Sequence, residues 1–310
     1  VLLRDALLAA ARSRRVERLV TRVPVTRHVV ERYVPGTGVD DATRATRELT
    51  SEGLCVSLDF LGEDVETLDQ AAATVQAYLS LLERLAEVGL TDRAEVSVKL
   101  SAVGQSLPRD GESVALDHAR QICELATKHG TTVTLDMEDH TTTDSTLSVL
   151  TALRTDFPAT GAVVQAYLHR TEADCRNLAY EGSRVRLCKG AYDEPESVAY
   201  QSKIDVDRSY VRCLKVLMAG DGYPMIATHD PRLVEITGAL AGRYGRAPGT
   251  YEYQMLYGIR PKEQRRLAAA GATVRVYLPY GDEWYGYLMR RLAERPANLM
   301  FFARSLVSRS

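Results

Sequence analysis

LCVSLDF (residues 54–60), TLDQAAATVQAYLSLLERLAEVG (67–89) and EVSVKLS (95–101) form one repeating unit: a short apolar and β-branched run, a helical run closed by glycine, and another short run. The same rhythm continues to the end of the chain. Short runs recur as TTVTLDM (131–137), GAVVQAY (161–167), SRVRLCK (183–189), YPMIAT (223–228), YEYQML (251–256) and ATVRVYL (272–278). Helical stretches separate them, several ending at glycine, the usual stop before a strand. Strand-helix units in series require right-handed crossovers and a parallel sheet. Eight of them without a second domain predict an α/β fold of the (βα)8 TIM-barrel type; an open doubly wound sheet is the rival. That rival lacks its fingerprint, because no G-x-G-x-x-G follows the first strand, and there is no P-loop or HExxH.

Upstream, residues 1–50 show helical periodicity without strands. Leu2, Leu3, Leu7 and Leu8, then Val16, Leu19 and Val20, mark short amphipathic helices; HVVERYVPG (28–36) stops at Pro35-Gly36, and DDATRATRELTSEG (40–53) reads as a helix ended by Gly53. The expected organisation is an accessory helical segment, 1–50, before a catalytic barrel, 51–310. A chain of 310 residues with 45% hydrophobic and 26% charged residues is a folded protein, not a disordered one. Its net charge of -2 gives no general attraction to nucleic acid. Five dispersed cysteines read as reduced, buried thiols, and with no signal-peptide pattern the expected location is the cytoplasm. No apolar run reaches the roughly 20 residues that span a bilayer.

Chemistry in a barrel gathers at the C-terminal ends of the strands. The polar residues there are Asp59, Lys99 with Ser101, Asp136 with Glu138 and Asp139, Gln165 with Tyr167, Arg186 with Lys189, Thr228 with His229 and Asp230, Gln254 with Tyr257, and Tyr277. Alternation turns some of these inward and others toward the helices. DMEDH (136–140) could hold a metal, but one strand end cannot supply four convergent ligands, and a hydrogen-bonding aspartate plus a solvated loop accounts for the same residues; no metal is expected. Asp59 and Asp136 could serve as paired glycosidase carboxylates. His229 could be a general base, a metal ligand or a hydrogen-bonded anchor. Lys99 is more telling, since a lysine in an otherwise apolar strand must pair, bind an anion or carry chemistry. RVRLCKGAY (184–192) suits an anion or an electron-rich ring, or is a strand with a solvated arginine.

WYGYLMRRLAER (284–295) follows the last strand. At about 100° per residue, Tyr287, Arg290, Arg291 and Glu294 share one arc, while Trp284, Tyr285, Leu288, Met289 and Leu292 make an apolar half. The polar arc is either a solvated face or a paired-guanidinium grip for a carboxylate. Its place after strand 8 lets the helix lie over the barrel mouth.

VSVKLSA (96–102), TLDMED (134–139), VVQAYLHR (163–170), RLCKGAY (186–192), ATHD (227–230), YEYQMLYG (251–258) and YLMRRLAE (287–294) resemble, in order, the motifs of the proline dehydrogenase (proline oxidase) family, and SLDFLGE (57–63) resembles its first strand. The compact length is similar to the monofunctional bacterial enzymes. The resemblance implies a distorted barrel with a final helix over its mouth, binding FAD noncovalently and oxidising L-proline to Δ1-pyrroline-5-carboxylate, the first step of proline catabolism. It implies that Lys99, Asp136, Tyr277, Tyr287, Arg290 and Arg291 are the catalytic set. Lys99, Arg290 and Arg291 would hold the substrate carboxylate, and Ala191, Leu256, Tyr277 and Tyr287 would line the ring pocket. Gln165, Arg186, Lys189, Gly190, Ala191, Thr228, His229, Gln254 and Glu294 would touch or order the flavin. Implied partners are a membrane quinone as electron acceptor, peripheral contact with the inner face of the cytoplasmic membrane, and pyrroline-5-carboxylate dehydrogenase. The chain departs from the family at Asp230, where asparagine is common, at Asp193, where some members carry tryptophan, and at Tyr253, a frequent phenylalanine; these fall among the expected flavin-edge contacts.

Overall fold

The computed structural model describes residues 30–62 and 65–294, without the side chains of 290–294. The helices expected within residues 1–29 lie outside the described residues. α1 (Val39–Ser51) leads into β1 (Cys55–Phe60), α2 (Leu68–Glu87), β2 (Ala94–Val98), α3 (Gly111–Lys128), β3 (Val133–Leu135), α4 (Thr143–Asp156), β4 (Ala162–Gln165) and α5 (Thr171–Leu178). The second half is β5 (Arg184–Cys188), α6 (Lys203–Ala219), β6 (Tyr223–Ala227), α7 (Pro231–Arg243), β7 (Glu252–Leu256), α8 (Pro261–Ala269), β8 (Val274–Tyr280) and α9 (Trp284–Glu294). All eight expected strands are present.

Every pair is parallel, in the order β3-β2-β1-β8-β7-β6-β5-β4. Gly161 joins the two ends: its N–H donates to Val133 O (2.8 Å), and its carbonyl accepts from Leu135 N (2.9 Å). The sheet is therefore a nearly closed barrel, and the open doubly wound alternative fails because no free edge separates β3 from β4.

Local chemistry sets the helix ends. Thr67 and Gln70 form a reciprocal capping box at the start of α2. Asp230 caps α7 by accepting from Arg232 N, with Pro231 in the first turn. The stops after α2 and α8 use Gly89 and Gly271 at φ +70° and +87°, a region that penalises a Cβ.

Register shows where the core lies. Strand residues facing the helices are mostly apolar: Val56 and Leu58 on β1, Val96 and Val98 on β2, Val133 and Leu135 on β3, Val185 and Leu187 on β5, and Val276 and Leu278 on β8 are buried. They pack against buried helix residues such as Tyr78, Leu81, Leu82, Leu85, Leu214 and Leu217. Each fully buried leucine contributes about 1.5–3 kcal/mol. Tyr78 also ties α2 to the barrel, donating to Ser97 O (2.7 Å) and accepting from Phe60 N (3.2 Å). The stabilising core is thus a shell outside the barrel, leaving the inner face for other side chains.

α9 packs differently from the outer helices. Tyr285, Tyr287, Leu288 and Met289 meet Leu61, just beyond β1, and Ile259, just beyond β7, together with Val30, Tyr33 and Val34. Both anchor points are on the C-terminal side of the strands, which puts α9 at the mouth. Gly281 N donates to Gly36 O (3.3 Å), fixing the segment before α1 beside the turn that starts α9.

Candidate active site

The inner face is filled by charge. On adjacent strands, Ser57 and Asp59, Glu95, Ser97 and Lys99, Thr134 and Asp136, Arg184 and Arg186, Glu252 and Gln254, and Arg275 and Tyr277 follow one another at two-residue spacing, so each set points inward from its strand. Barrels of this type normally fill that space with layers of bulky branched side chains. Here two ionic tiers replace them.

The deeper tier contains Glu95, Glu252, Arg184 and Arg275. Arg184 pairs with Glu95 at 2.6 Å, and Arg275 with Glu252 through contacts of 2.8 and 3.2 Å. Ser57 and Thr134 also donate to Glu95, at 3.2 and 3.1 Å. Burial pushes the Glu95 carboxyl up, but Arg184, Arg275 and Arg186 outweigh it and hold the group down at about 2.

The upper tier sits at the mouth. Lys99 Nζ donates to both oxygens of Asp59, at 2.8 and 2.7 Å, so the strand lysine is paired as its burial requires. Burial raises the Asp59 carboxyl against the pull of Lys99. Arg186 is 4% exposed, which excludes the solvated-arginine reading. Its guanidinium donates to Asp136 (2.6 Å), Ser97 Oγ (2.9 Å), Ser57 Oγ (3.1 Å) and Gln254 Oε1 (2.5 Å), and it lies 5.3 Å from the centre of the Tyr277 ring. Tyr277 in turn donates to Asp136 Oδ2 (2.6 Å), and burial raises its phenol well above the ordinary range, so it stays a donor. Arg186, Asp136 and Tyr277 are one hydrogen-bonded unit drawn from β5, β3 and β8.

Asp59 and Asp136 are each held by cationic partners, an arrangement unlike an acid and base set apart for water. The DMEDH residues diverge: Asp136 enters the barrel, Glu138 accepts from Ser101 N and Oγ, Asp139 caps a short turn, and His140 pairs with Glu194. His229 is a hydrogen-bonded anchor whose Nε2 accepts from Leu256 N (2.9 Å).

The remaining expected residues sort by strand. Gln165 ends β4 and donates to Glu138 O (2.6 Å). Lys189, Gly190 and Ala191 follow β5; Lys189 bonds Asp207 (2.5 Å) and Asp230 (3.4 Å). Gly190 adopts φ +106°, and an added Cβ would lie 2.3 Å from the Tyr167 ring, so glycine is required there. Thr228 and His229 follow β6, and Gln254 is on β7. The expected flavin contacts, Glu294 aside, therefore occupy the contiguous β4–β7 sector. Three of the expected substrate contacts, Leu256, Tyr277 and Lys99, and the expected catalytic Asp136 occupy the adjoining sector from β7 through β8 to β3. Ala191 is the exception, on the flavin side, and Tyr287 is buried on α9 at the mouth. Arg290, Arg291 and Glu294 belong to α9, but their side chains lie outside the described residues.

Two departures change meaning in place. Asp230 caps α7, a task asparagine performs as well. Tyr253 is not a flavin-edge residue: it faces away from Glu252 and Gln254, packing outside the barrel beside Tyr251 with ring centres 5.8 Å apart. The deeper tier went unread in the sequence: its one trace there is the polar i, i+2 spacing, which a strand with one wet face shows equally.

The chain is similar to known proteins. A family model described as Proline dehydrogenase matches residues 42–304. Proline dehydrogenase of Deinococcus radiodurans is 37% identical over 308 residues, 99% of this chain and 98% of that protein. Proline dehydrogenase 1 of Bacillus subtilis strain 168 is 35% identical over 284 residues, 92% of each chain. In fold, the chain resembles the crystal structure of proline utilization A from Bdellovibrio bacteriovorus inactivated by N-propargylglycine, with a TM-score of 0.80 at 24% identity, covering 92% of this chain and 34% of that one. Barrel, ordered motifs and near-full-length relatives agree: this chain belongs to the proline dehydrogenase family.

Proposed function

We propose that this chain oxidises L-proline to Δ1-pyrroline-5-carboxylate with noncovalent FAD and passes the electrons to a membrane quinone. The observation that carries the reading is the junction of the two sectors, where the buried Arg186 of the expected flavin side grips Asp136 of the expected catalytic set. The donor set fits a flavin. Arg186, Lys189, Gln165 and Gln254 supply cations and carboxamides on neighbouring strands, matching an isoalloxazine edge rich in acceptors and an anionic diphosphate. Gln165, Arg186, Lys189, Gly190, Ala191, Thr228, His229, Gln254 and Glu294 would hold the cofactor.

When bound, FAD supplies a hydride acceptor at N5. The protein's part is placement. Arg290, Arg291 and Lys99 hold the substrate carboxylate, which fixes C5 of the ring as the carbon that gives up hydride. Tyr277, Tyr287, Leu256 and Ala191 enclose the ring. The Asp136 oxygens are engaged by Arg186, Ser97 and Tyr277, so its task is to orient those groups, and the amine proton leaves to solvent. Helix α9 at the mouth excludes water. The product suits a pyrroline-5-carboxylate dehydrogenase as partner, and use of a quinone suits peripheral contact with the inner face of the cytoplasmic membrane from a cytoplasmic location.

The purified chain is expected to be yellow and to bleach under anaerobic L-proline. Colourless protein after FAD supplementation, or a flavin spectrum indifferent to proline, overturns the reading.

A further inference from the structure

Below Arg186 lies a carboxylate that the reaction itself does not use. Glu252 is 1% exposed and sits two residues deeper than Gln254 on the same inward face of β7. Its Oε1 accepts from Gln254 Nε2 (2.6 Å) and from Arg275 Nε (2.8 Å). The other end of the Gln254 amide, Oε1, accepts from Arg186 Nε (2.5 Å).

A carboxylate only accepts and a guanidinium only donates. With Glu252 below and Arg186 above, the Gln254 carboxamide has one permitted orientation, N–H down and C=O up. The flipped amide would set oxygen against carboxylate and N–H against N–H. We infer that Glu252 is a positioning residue for the proposed redox chemistry: by fixing the sense of the Gln254 amide, it keeps an acceptor on Arg186 Nε and so holds that guanidinium in its plane. The inference rests on the flavin-dependent reading above. The other donors of Arg186, on Nη1 and Nη2, reach Ser57, Ser97 and Asp136, so loss of the Nε acceptor leaves the guanidinium held along one edge only and lets its plane tilt relative to the Tyr277 ring.

Substituting Glu252→Gln removes the acceptor-only constraint at nearly constant volume, since a carboxamide offers either an oxygen or an NH2. The double variant E252Q/Q254E restores it: the carboxamide now at position 252 accepts from Arg275 Nη2 and the Tyr223 hydroxyl through its oxygen and donates upward through its NH2, giving up the Arg275 Nε contact, and the carboxylate now at position 254 accepts from Arg186. The test compares wild type, E252Q and the double variant as FAD-loaded full chains, measuring flavin absorbance, flavin midpoint potential, thermal midpoint, and kcat and KM for L-proline. E252Q is expected to shift the flavin band and potential and to lower kcat about tenfold, less than the roughly hundredfold that a 1 Å misplacement can cost, with KM within about twofold. The double variant recovers part of the lost kcat, the remainder being the flavin contact that Gln254 itself gives up.

A merely structural role predicts a lower thermal midpoint with kcat per bound flavin and the flavin band unchanged, and that result overturns the inference. A double variant no better than E252Q overturns it too. Should E252Q not fold, the double variant decides alone: proline-driven bleaching within about tenfold of the wild-type rate supports the inference, and folded protein with slower bleaching rejects it. Wild-type protein that proline does not bleach sinks the flavin reading instead, which keeps the two failures apart.

Discussion

Glu95 offers the sharpest test of the ionic interior. Three guanidiniums lie within 4 Å of its carboxylate: Arg184 at 2.6 Å, Arg186 at 3.7 Å and Arg275 at 3.8 Å. Glu95→Gln keeps the shape and removes the charge, leaving Arg184 buried without its carboxylate. Breaking a buried pair by deleting one partner costs about 3–5 kcal/mol. With an unfolding entropy of about 2.1 cal/mol/K per residue, a chain of 310 residues has about 0.65 kcal/mol/K, so the midpoint falls by roughly 5–8 °C. The pH dependence fixes the cause. The Glu95 carboxyl is held at about 2 when folded against an ordinary 4.5, so its stabilisation is complete above pH 4.5 and is lost as pH falls toward 2. The gap between wild type and E95Q, measured by urea unfolding at stepped pH, should be full at pH 7 and narrow below 4.5. A cost under 1 kcal/mol at pH 7, or a gap that stays constant into acid, refutes the argument.

Lys99→Met strands Asp59 without its counter-charge and should cost about 3–5 kcal/mol at pH 7. The cost shrinks in acid as Asp59, whose carboxyl burial already raises, takes up a proton, and D59N/K99M should regain most of the stability while leaving proline KM high; urea titrations with steady-state kinetics separate the two effects. Gly190→Ala combines a strained φ with a 2.3 Å approach to the Tyr167 ring, so the loop after β5 must shift and the ratio of flavin to protein absorbance should drop; unaltered flavin content defeats the placement of Gly190. Arg291→Met should raise the KM for proline on the order of thirtyfold or more, as loss of one member of a charged pair does, with kcat less affected; an unchanged KM removes Arg291 from the carboxylate grip.

The barrel was legible because the strands are short and mostly β-branched and several helices end in a glycine, as at Gly89 and Gly271, or begin at a cap such as Thr67 or Asp230. Most strand ends shifted by one to three residues, since a terminal residue's place depends on the register it finds with its neighbours; GAVVQAY narrows to Ala162–Gln165 because Tyr167 already serves the turn under Gly190. The mouth residues were legible as polar interruptions. The tier beneath was not, because Glu95, Arg184, Glu252 and Arg275 look individually like ordinary solvated strand residues. Alternation of polar and apolar residues normally marks a strand with one wet face. Here the polar face is dry, a property of barrel closure that no single strand records.

Charge balance in that interior explains why a helix at the mouth belongs in the proposed chemistry. In the deeper tier Glu95 and Glu252 match Arg184 and Arg275; in the upper tier Asp59 and Asp136 match Lys99 and Arg186. These charges cancel within each tier, so Lys99 brings a directed donor to a carboxylate but no surplus positive charge. A substrate carboxylate leaving water needs both. In the proposed reading Arg290 and Arg291 supply the surplus, from an element whose apolar side is anchored on Leu61, Ile259 and Tyr33. An arginine pair built into the barrel would need its own buried carboxylates; carried on α9, the proposed pair takes the substrate carboxylate as its counter-ion.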